Sequence, residues 1–445
     1  MTQQQAIVMG GSIAGLLASR VLSDFYDRVI ILDRDRLPVT PQPRRGVPQS
    51  VQPHVLFTQG YRILEDFFPK IGKDLQAAGA VPIDWGREFH YFNQGAWNAT
   101  ADTDSELVSF TCTRPLLEAT IRQRLQQREN VEFWSNCRVI GLEGSAEGQE
   151  VSGVRFTTPE HPQTQIAKAD LVVDASGRGS LAPSWLKALG MTPPPVTRVD
   201  AHLGYATRRY RIPENAHFPW KVMLIAQEPP DNPRLGYLAQ VEDNQWIATL
   251  GGYERDYPPL EDEGFLNFAR SLADSEFYDC IRQAEPLSEL RAHRATANRL
   301  YHYEKIKLPR GFVALGDAVC ALCPVYGQGM TVSALSAEVL ANCLEMAQRR
   351  GSPLDSNDFQ KRLARNNAYP WSVAVGQDSA FPSVQSAASR SNPFSSLLQG
   401  YFRRLLKLSH QDGSFHVRFM AIAHMVASPL SLFHPRLLWQ ALVKG

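Results

Sequence analysis

The sequence predicts an α/β protein in which a parallel-sheet unit wound by helices is interrupted by an antiparallel sheet and followed by a helical tail. Three observations carry this. The first 33 residues pass from a short apolar run, Ala6-Ile-Val-Met9, through a glycine-rich turn and a helical pattern (Leu16, Leu17, Ala18, Val21) to a second run, Val29–Leu32, ending at Asp33. Strand, turn, helix and strand in so few residues make a βαβ unit. From about Pro193 to Leu300 the pattern instead alternates (Val222–Ala226, Leu235–Val241, Trp246–Leu250) between Pro-rich loops, the signature of an open antiparallel sheet. Finally, Gly311-Phe-Val-Ala-Leu-Gly316 returns to a buried-strand pattern and leads into a long helix, Thr331–Arg349.

Between these landmarks the elements follow in order. A Pro- and Arg-bearing loop, Leu37–Pro53, precedes a helical segment with Ile63, Leu64, Phe67 and Phe68, and an irregular aromatic excursion spans 81–103 (Trp85, Phe89, Tyr91, Phe92, Trp97). Leu116–Leu125 reads as a helix, Val131–Leu142 as strands and Leu171–Asp174 as a buried strand; within the antiparallel region Phe265–Ile281 reads as one helical segment. Beyond Tyr369 the composition turns to Ser/Asn-rich loops between helices such as Phe394–Leu408 and Phe415–Ala427. The expected division is 1–80, 104–190 and 295–368 as one interleaved domain, 81–103 and 191–294 as the inserted domain, and 369–445 as the helical tail.

Composition narrows the function classes. With 46 Lys+Arg against 45 Asp+Glu the net charge is +1, which offers no footprint for nucleic acid. Six cysteines at unrelated spacings make no disulfide framework, and no run of about 18 apolar residues occurs. A cytoplasmic location is expected, since the N-terminus also lacks a basic segment before its apolar run.

The turn Gly10-Gly11-Ser12-Ile13-Ala14-Gly15 lies where a Rossmann-like fold keeps its dinucleotide fingerprint, although Ser12 replaces the middle glycine. Glycines let the backbone approach a pyrophosphate, and the helix N-terminus offers free N–H groups. Asp33 ends the second strand, where a carboxylate accepts from ribose hydroxyls. The far end of the chain selects a flavin: Gly316-Asp317 ends a strand where an acid meets ribityl hydroxyls, and Pro324-Val-Tyr-Gly327-Gln328-Gly329-Met330 opens a helix that stabilises negative charge on a reduced ring.

Four motifs, the glycine turn, Thr113-Arg114-Pro-Leu-Leu-Glu118, Ala169-Asp-Leu-Val-Val-Asp174-Ala-Ser-Gly177-Arg178-Gly-Ser180 and Gly316 to Met330, occur in order across residues 10–330. In them the chain resembles the FAD-dependent monooxygenases of the p-hydroxybenzoate hydroxylase superfamily, closest to bacterial polyprenyl-methoxyphenol-hydroxylase-like hydroxylases and epoxidases. The resemblance implies a Rossmann-like domain holding FAD non-covalently through Gly10, Ser12, Ile13, Ala14, Gly15, Asp33, Arg34, Arg45, Arg114, Val139, Asp174, Gly316, Asp317, Pro324, Gly327, Gln328, Gly329 and Met330. It also implies NAD(P)H as transient reductant, O2 as co-substrate, and hydroxylation or epoxidation of a hydrophobic aromatic, polyene or isoprenoid substrate through a flavin hydroperoxide. The family's Gly-Ala-Asp-Gly segment reads Asp-Ala-Ser-Gly-Arg here, which makes a separate flavin reductase an alternative electron source.

No essential side-chain acid or base is expected. Arg45, Gln49 and His54 are the candidates for contacting phosphate or orienting substrate, with a surface arginine and a satisfied core histidine as the plain alternatives. Tyr205 and His202 lie on a strand that in the family faces the substrate. Cys320 and Cys323 have redox spacing but read as buried thiols. The segment 397–407 is a basic amphipathic helix that either packs on the parent fold or makes weak peripheral membrane contact. Other readings are an isoprenoid-type reductase or redox-neutral cyclase, and a non-catalytic flavin-binding protein; the Trp-x-Trp-x-Ile-Pro signature of flavin halogenases is absent.

Overall fold

A computed structural model describes residues 4–145, 149–382, 384, 393–435 and 437–439; of 393–399 and 402 only the backbone is described. Strands Gln5–Met9, Arg28–Leu32, Val131–Trp134, Leu171–Asp174 and Phe312–Ala314 form a five-stranded parallel sheet. Its order, 312–314, 171–174, 5–9, 28–32, 131–134, assembles strands from three distant stretches of chain. The apolar runs explain the position of this sheet: Ala6–Met9, Val29–Leu32 and Leu171–Val173 are buried on both faces, as a helix-covered parallel sheet requires. Helix Ile13–Leu22 packs on the sheet, and the long helix Gly329–Arg350 packs against that helix. Gly351, at φ +61°, ends it in the left-handed conformation that glycine adopts without steric cost.

The second sheet has seven strands in the order 291–293, 204–211, 245–252, 234–241, 222–225, 89–93, 96–97. It departs from the expected all-antiparallel form at one place. Phe89–Asn93, from the aromatic excursion, pairs in parallel with Val222–Ile225, because the excursion enters the sheet from a different part of the chain. Two helices, Asp262–Arg270 and Glu276–Ile281, cover one face through Phe265, Phe268 and Phe277. They replace the single helical segment expected, and the break falls at Ser271-Leu-Ala-Asp-Ser275, where the Ser271 hydroxyl donates to the Phe268 carbonyl and Asp274 Oδ1 accepts the Glu276 N–H.

The opposite face carries Phe89, Val222, Ala239, Val241 and Ile247, and helix Gly413–Ala423 packs there through Met420. Asp412 starts that helix by accepting the Ser414 N–H at 2.8 Å. Helix Ser356–Asp378 runs straight through the expected boundary at 368/369, with Pro370 inside it, so the composition change there marks no break in structure.

Of the basic amphipathic helix, Leu397, Leu398 and Phe402 lie outside the described side chains; Leu405 and Leu408 are buried with Ile422 and Leu432, while Arg403, Arg404 and Lys407 are exposed. Among the described residues no helix is long and apolar enough to cross a membrane.

Candidate functional site

A cavity of about 1770 Å³ runs from the glycine turn of the parallel sheet to the aromatic face of the large sheet. At the turn, Gly10 sits at φ +105°, and a Cβ there would lie 2.6 Å from the Ala175 carbonyl oxygen. A Cβ on Gly15 would come within 1.8 Å of the Gly10 carbonyl oxygen. Helix and strand therefore meet this closely only with hydrogen at both positions. Ser12 is the N-cap residue, but its side chain does not cap the helix: it donates to Glu118 Oε2 at 2.7 Å and accepts from Arg114 Nη2 at 2.8 Å. The first N–H groups of the helix are left uncapped beside Ser12, Ile13 and Ala14, which line the cavity.

Glu118 is the hub of a buried charge network. Its Oε1 lies 2.7 Å from Arg44 Nη2 and 3.4 Å from Arg122 Nη1. Arg44 in turn reaches Asp33 Oδ2 at 3.1 Å and Asp35 Oδ2 at 3.4 Å. Burial works against the Arg44 charge, yet Glu118 and Asp33 together outweigh it and hold the guanidinium above its ordinary value. Asp33 also accepts the Gly11 N–H (2.8 Å) and the Asp35 N–H (2.8 Å). A carboxylate has about four acceptor sites. One remains at Asp33 for a ligand hydroxyl.

The opposite wall comes from the returning segment. Gly316, at φ +60°, abuts Ala14: a Cβ on it would lie 2.8 Å from the Ala14 Cβ. Asp317, Pro324, Gly327, Gln328, Gly329 and Met330 line the cavity, as do Arg34 and Val139. Arg34 donates to the Gly46 carbonyl at 3.0 Å, and Arg178 stands 3.7 Å from Asp317. Arg114 lines the cavity; its Nε makes no hydrogen bond among the described residues and lies 3.9 Å from Glu118 Oε2, and burial lowers its pKa, partly opposed by Glu118 and Asp317. Gln328 is buried, and its Oε1 has no hydrogen-bond partner among the described residues.

Four of the expected contact residues do not line the cavity. Arg45 is exposed and does not line the cavity, whereas Arg44 beside it is buried in the charge network; the doublet cannot announce which arginine turns inward. Asp174 is fully buried and does not reach the cavity. It accepts from the Ser176 N–H (3.0 Å), Ser176 Oγ (2.5 Å) and Ser180 Oγ (2.5 Å), and so shapes the turn whose Ser176, Gly177 and Arg178 form the wall. Gly15 and Gly316 stand behind the cavity surface and act by close packing.

Gln49 and His54 both line the cavity. Burial, assisted by Arg114, pushes His54 down to about 3, so the ring is neutral. Its Nδ1 lies 2.9 Å from the Gln52 carbonyl, which assigns the proton to Nδ1 and leaves Nε2 as a lone-pair acceptor. Tyr205 lines the cavity and His202 does not. Cys320 and Cys323 are buried free thiols, both pushed up by burial.

Past His54 the lining becomes aromatic: Phe57, Trp85, Phe89, Tyr91, Tyr237 and Phe419. His424, which the sequence did not single out, also lines this chamber from the end of helix Gly413–Ala423. It stacks on Phe57 (ring centroids 4.6 Å apart) and meets Trp85 edge-on (4.8 Å). Its Nδ1 accepts the Thr58 N–H at 3.2 Å, and burial lowers it to about 3. Strand alternation could have flagged Tyr237, on one face with Leu235 and Ala239. Nothing local marks His424.

No family model matches the chain. Protein Rv3254 of Mycobacterium tuberculosis is 34% identical to it over 387 residues, which cover 85% of this chain and 81% of that protein. The chain belongs to the family of Protein Rv3254. Among solved structures, the flavin-dependent brominase Bmp2 superposes with a TM-score of 0.70 over 100% of this chain and 99% of its own, at 11% identity. The "probable FAD-dependent monooxygenase" PqsL of Pseudomonas aeruginosa gives 0.63 over 84% of this chain and 94% of its own, at 14% identity. Identities this low establish a shared fold.

Proposed function

We propose that the chain is an FAD-dependent monooxygenase acting on a hydrophobic substrate. One observation supports this above the others: the glycine turn and the Asp317–Met330 wall open into the same cavity as the aromatic chamber. Its volume of about 1770 Å³ exceeds the roughly 300–1,000 Å³ of a single small-ligand site. There is room for a cofactor and a substrate side by side.

The residues present fit FAD. A backbone cradle at Gly10 that a Cβ would close, an uncapped helix start at Ser12, a free acceptor site on Asp33, and Arg114 Nε and Gln328 Oε1, which make no hydrogen bond among the described residues, are the groups a dinucleotide flavin needs. Asp33 and Arg34 would meet the adenosine end, the glycine turn and Arg114 the pyrophosphate, and Asp317 with Gly327–Met330 the flavin end. FAD bound there would supply the electrons and activate dioxygen.

The chain's own contribution is positioning and exclusion of water. Trp85, Phe89 and Phe419 give the chamber an apolar wall. His54, neutral with Nε2 as acceptor, orients a substrate N–H or O–H without moving a proton itself. Asp317 and Arg178 hold opposite charges at the wall of the flavin end. NAD(P)H, or a separate flavin reductase, would deliver the electrons.

The test is to load the protein with FAD, reduce it anaerobically with NADH, NADPH or a flavin reductase, and admit labelled dioxygen over a panel of hydrophobic compounds. Label in the product is the expected result. Failure to bind FAD, or saturation of a substrate double bond without oxygen uptake, overturns the reading. The full-length likeness to Bmp2 gives a second reading, oxidation of halide, and the same reaction run with bromide distinguishes it by a brominated product.

A further inference from the structure

The face of the large sheet that meets helix Gly413–Ala423 carries a row set by strand register. Tyr91 pairs with Leu224, Leu224 with Tyr237, and Tyr237 with Thr249 across four neighbouring strands. Neighbouring strands lie about 4.8 Å apart, so the Tyr91 and Tyr237 backbones stand about 10 Å apart with Leu224 between them. All four residues line the cavity. Phe419 and Met420, on the opposing helix, belong to the same apolar cluster as the first three and line the same cavity, so the row forms one wall of its apolar part.

The two tyrosine hydroxyls differ both from buried phenols that are bonded and from the hydroxyls of Tyr205 and Tyr303, which lack a hydrogen-bond partner among the described residues but are closed off from the cavity. Tyr326 donates to Asp378, and Tyr61 to Glu65 at 3.3 Å. Neither the Tyr91 nor the Tyr237 hydroxyl has a hydrogen-bond partner among the described residues, and neither is sealed from the cavity. Burial, assisted at Tyr91 by Glu228, pushes Tyr91 up to about 12, and burial raises Tyr237 as well, so both remain neutral donors. A buried tyrosine hydroxyl ordinarily finds a partner. Two that do not, aligned on one sheet face and open to the cavity, are a built recognition feature. Glu228 also lines the cavity and bonds the Gly95 N–H at 3.0 Å, so its negative charge disfavours a ligand carboxylate near Tyr91.

We propose that Tyr91 and Tyr237 are the specificity-determining residues of the chamber, and that they select a flat fused-ring compound bearing neutral oxygen functions at both ends of its long axis. Leu224 takes the ring system between the two hydroxyls. This rests on the oxygenase reading for the identity of the site as a substrate chamber, but its test does not depend on turnover.

Three probes of one shape separate the terms: anthraquinone, 2-hydroxyanthraquinone and 2,6-dihydroxyanthraquinone, titrated at pH 6 against FAD-loaded protein and followed by quenching of tryptophan fluorescence, Trp85 being in the wall. Each added hydroxyl should tighten binding by about three- to tenfold, the worth of one hydrogen bond. Tyr91→Phe or Tyr237→Phe should each erase one step, the double variant both, and anthraquinone should bind all four proteins alike. Equal affinity of the three probes for the unaltered protein, equal weakening of all three by Tyr→Phe, or no binding by any of them overturns the proposal. FAD absorbance of the same samples reports separately on the cofactor, so failure of the oxygenase reading and failure of this one are distinguishable.

Discussion

The two ends of the cavity are built by opposite means. At the glycine turn nearly every polar group is committed: Glu118 holds Ser12, Arg44 and Arg122, and Asp33 holds Gly11, Asp35 and Arg44. In the aromatic chamber the hydroxyls of Tyr91 and Tyr237 have no hydrogen-bond partner among the described residues, and apolar surface does the shaping. The difference teaches that one end is a rigid frame with a few acceptor and donor sites left open, whereas the other is a surface whose polar groups await a ligand. Substitutions should therefore hurt folding and cofactor retention at the first end and ligand choice at the second.

The largest effect is expected at Gly15. A valine there places Cβ 1.8 Å from the Gly10 carbonyl oxygen, a backbone contact that no side chain can relieve. Gly15→Val should yield protein with no FAD after gel filtration, read from the ratio of flavin to protein absorbance; normal retention would show that the turn is not the cradle. Next is Glu118→Ala, which strands Arg44 and Arg122 without their shared carboxylate. Breaking a buried charge network of this kind costs about 3–5 kcal/mol, measurable by urea denaturation. A loss below about 1 kcal/mol would mean that Glu118 does not hold the frame together.

Asp33→Ala removes the clamp on the Gly11 N–H together with the open acceptor site. A hydrogen bond to a charged group is worth about 1.5–3 kcal/mol, so FAD affinity should fall by about ten- to a hundredfold; unchanged affinity would remove Asp33 from the ribose contact.

The chamber end has its own pH signature. His424 and His416 are held by burial at about 3 and about 4, below the ordinary 6.5. The unfolded chain therefore takes up these protons first, and the stability they support is full above pH 6.5 and is lost as pH falls toward the folded values. Each such histidine steepens the decline by about 1.4 kcal/mol per pH unit. His424→Phe should give a shallower decline in denaturation free energy from pH 7 to pH 5 than the unaltered chain; parallel curves would contradict its burial as a neutral group. The smallest effect belongs to Tyr237→Phe, which leaves no partner stranded and should shift stability by less than about 0.5 kcal/mol. A larger loss would show that the hydroxyl serves the fold.

Local sequence was informative wherever function depends on backbone. The glycine turn, the strand ending at Asp33 and the Gly316–Met330 segment are readable because glycine spacing and apolar runs dictate where the chain bends and what it buries. Where function depends on which side chain of a pair turns inward, the signal vanished: Arg44 and Arg45 are indistinguishable by type, and only the position of Glu118 on a neighbouring helix decides between them. Asp174 failed for a related reason. An acid at a strand end marks a turn, and whether it faces ligand or the serines of that turn depends on packing.

By itself, then, the sequence determined the parallel sheet, its glycine-lined turn and the return of the chain to that sheet after a long insertion, because these follow from short-range periodicity and steric freedom. The tertiary structure alone decided the rest of the cavity. The row Tyr91–Leu224–Tyr237 exists only because the excursion strand pairs in register with strands more than a hundred residues away, and His424 joins the chamber only because a helix near the end of the chain packs on that face. Contacts between distant segments are set by the global packing that buries the most apolar surface, and no local pattern carries that information.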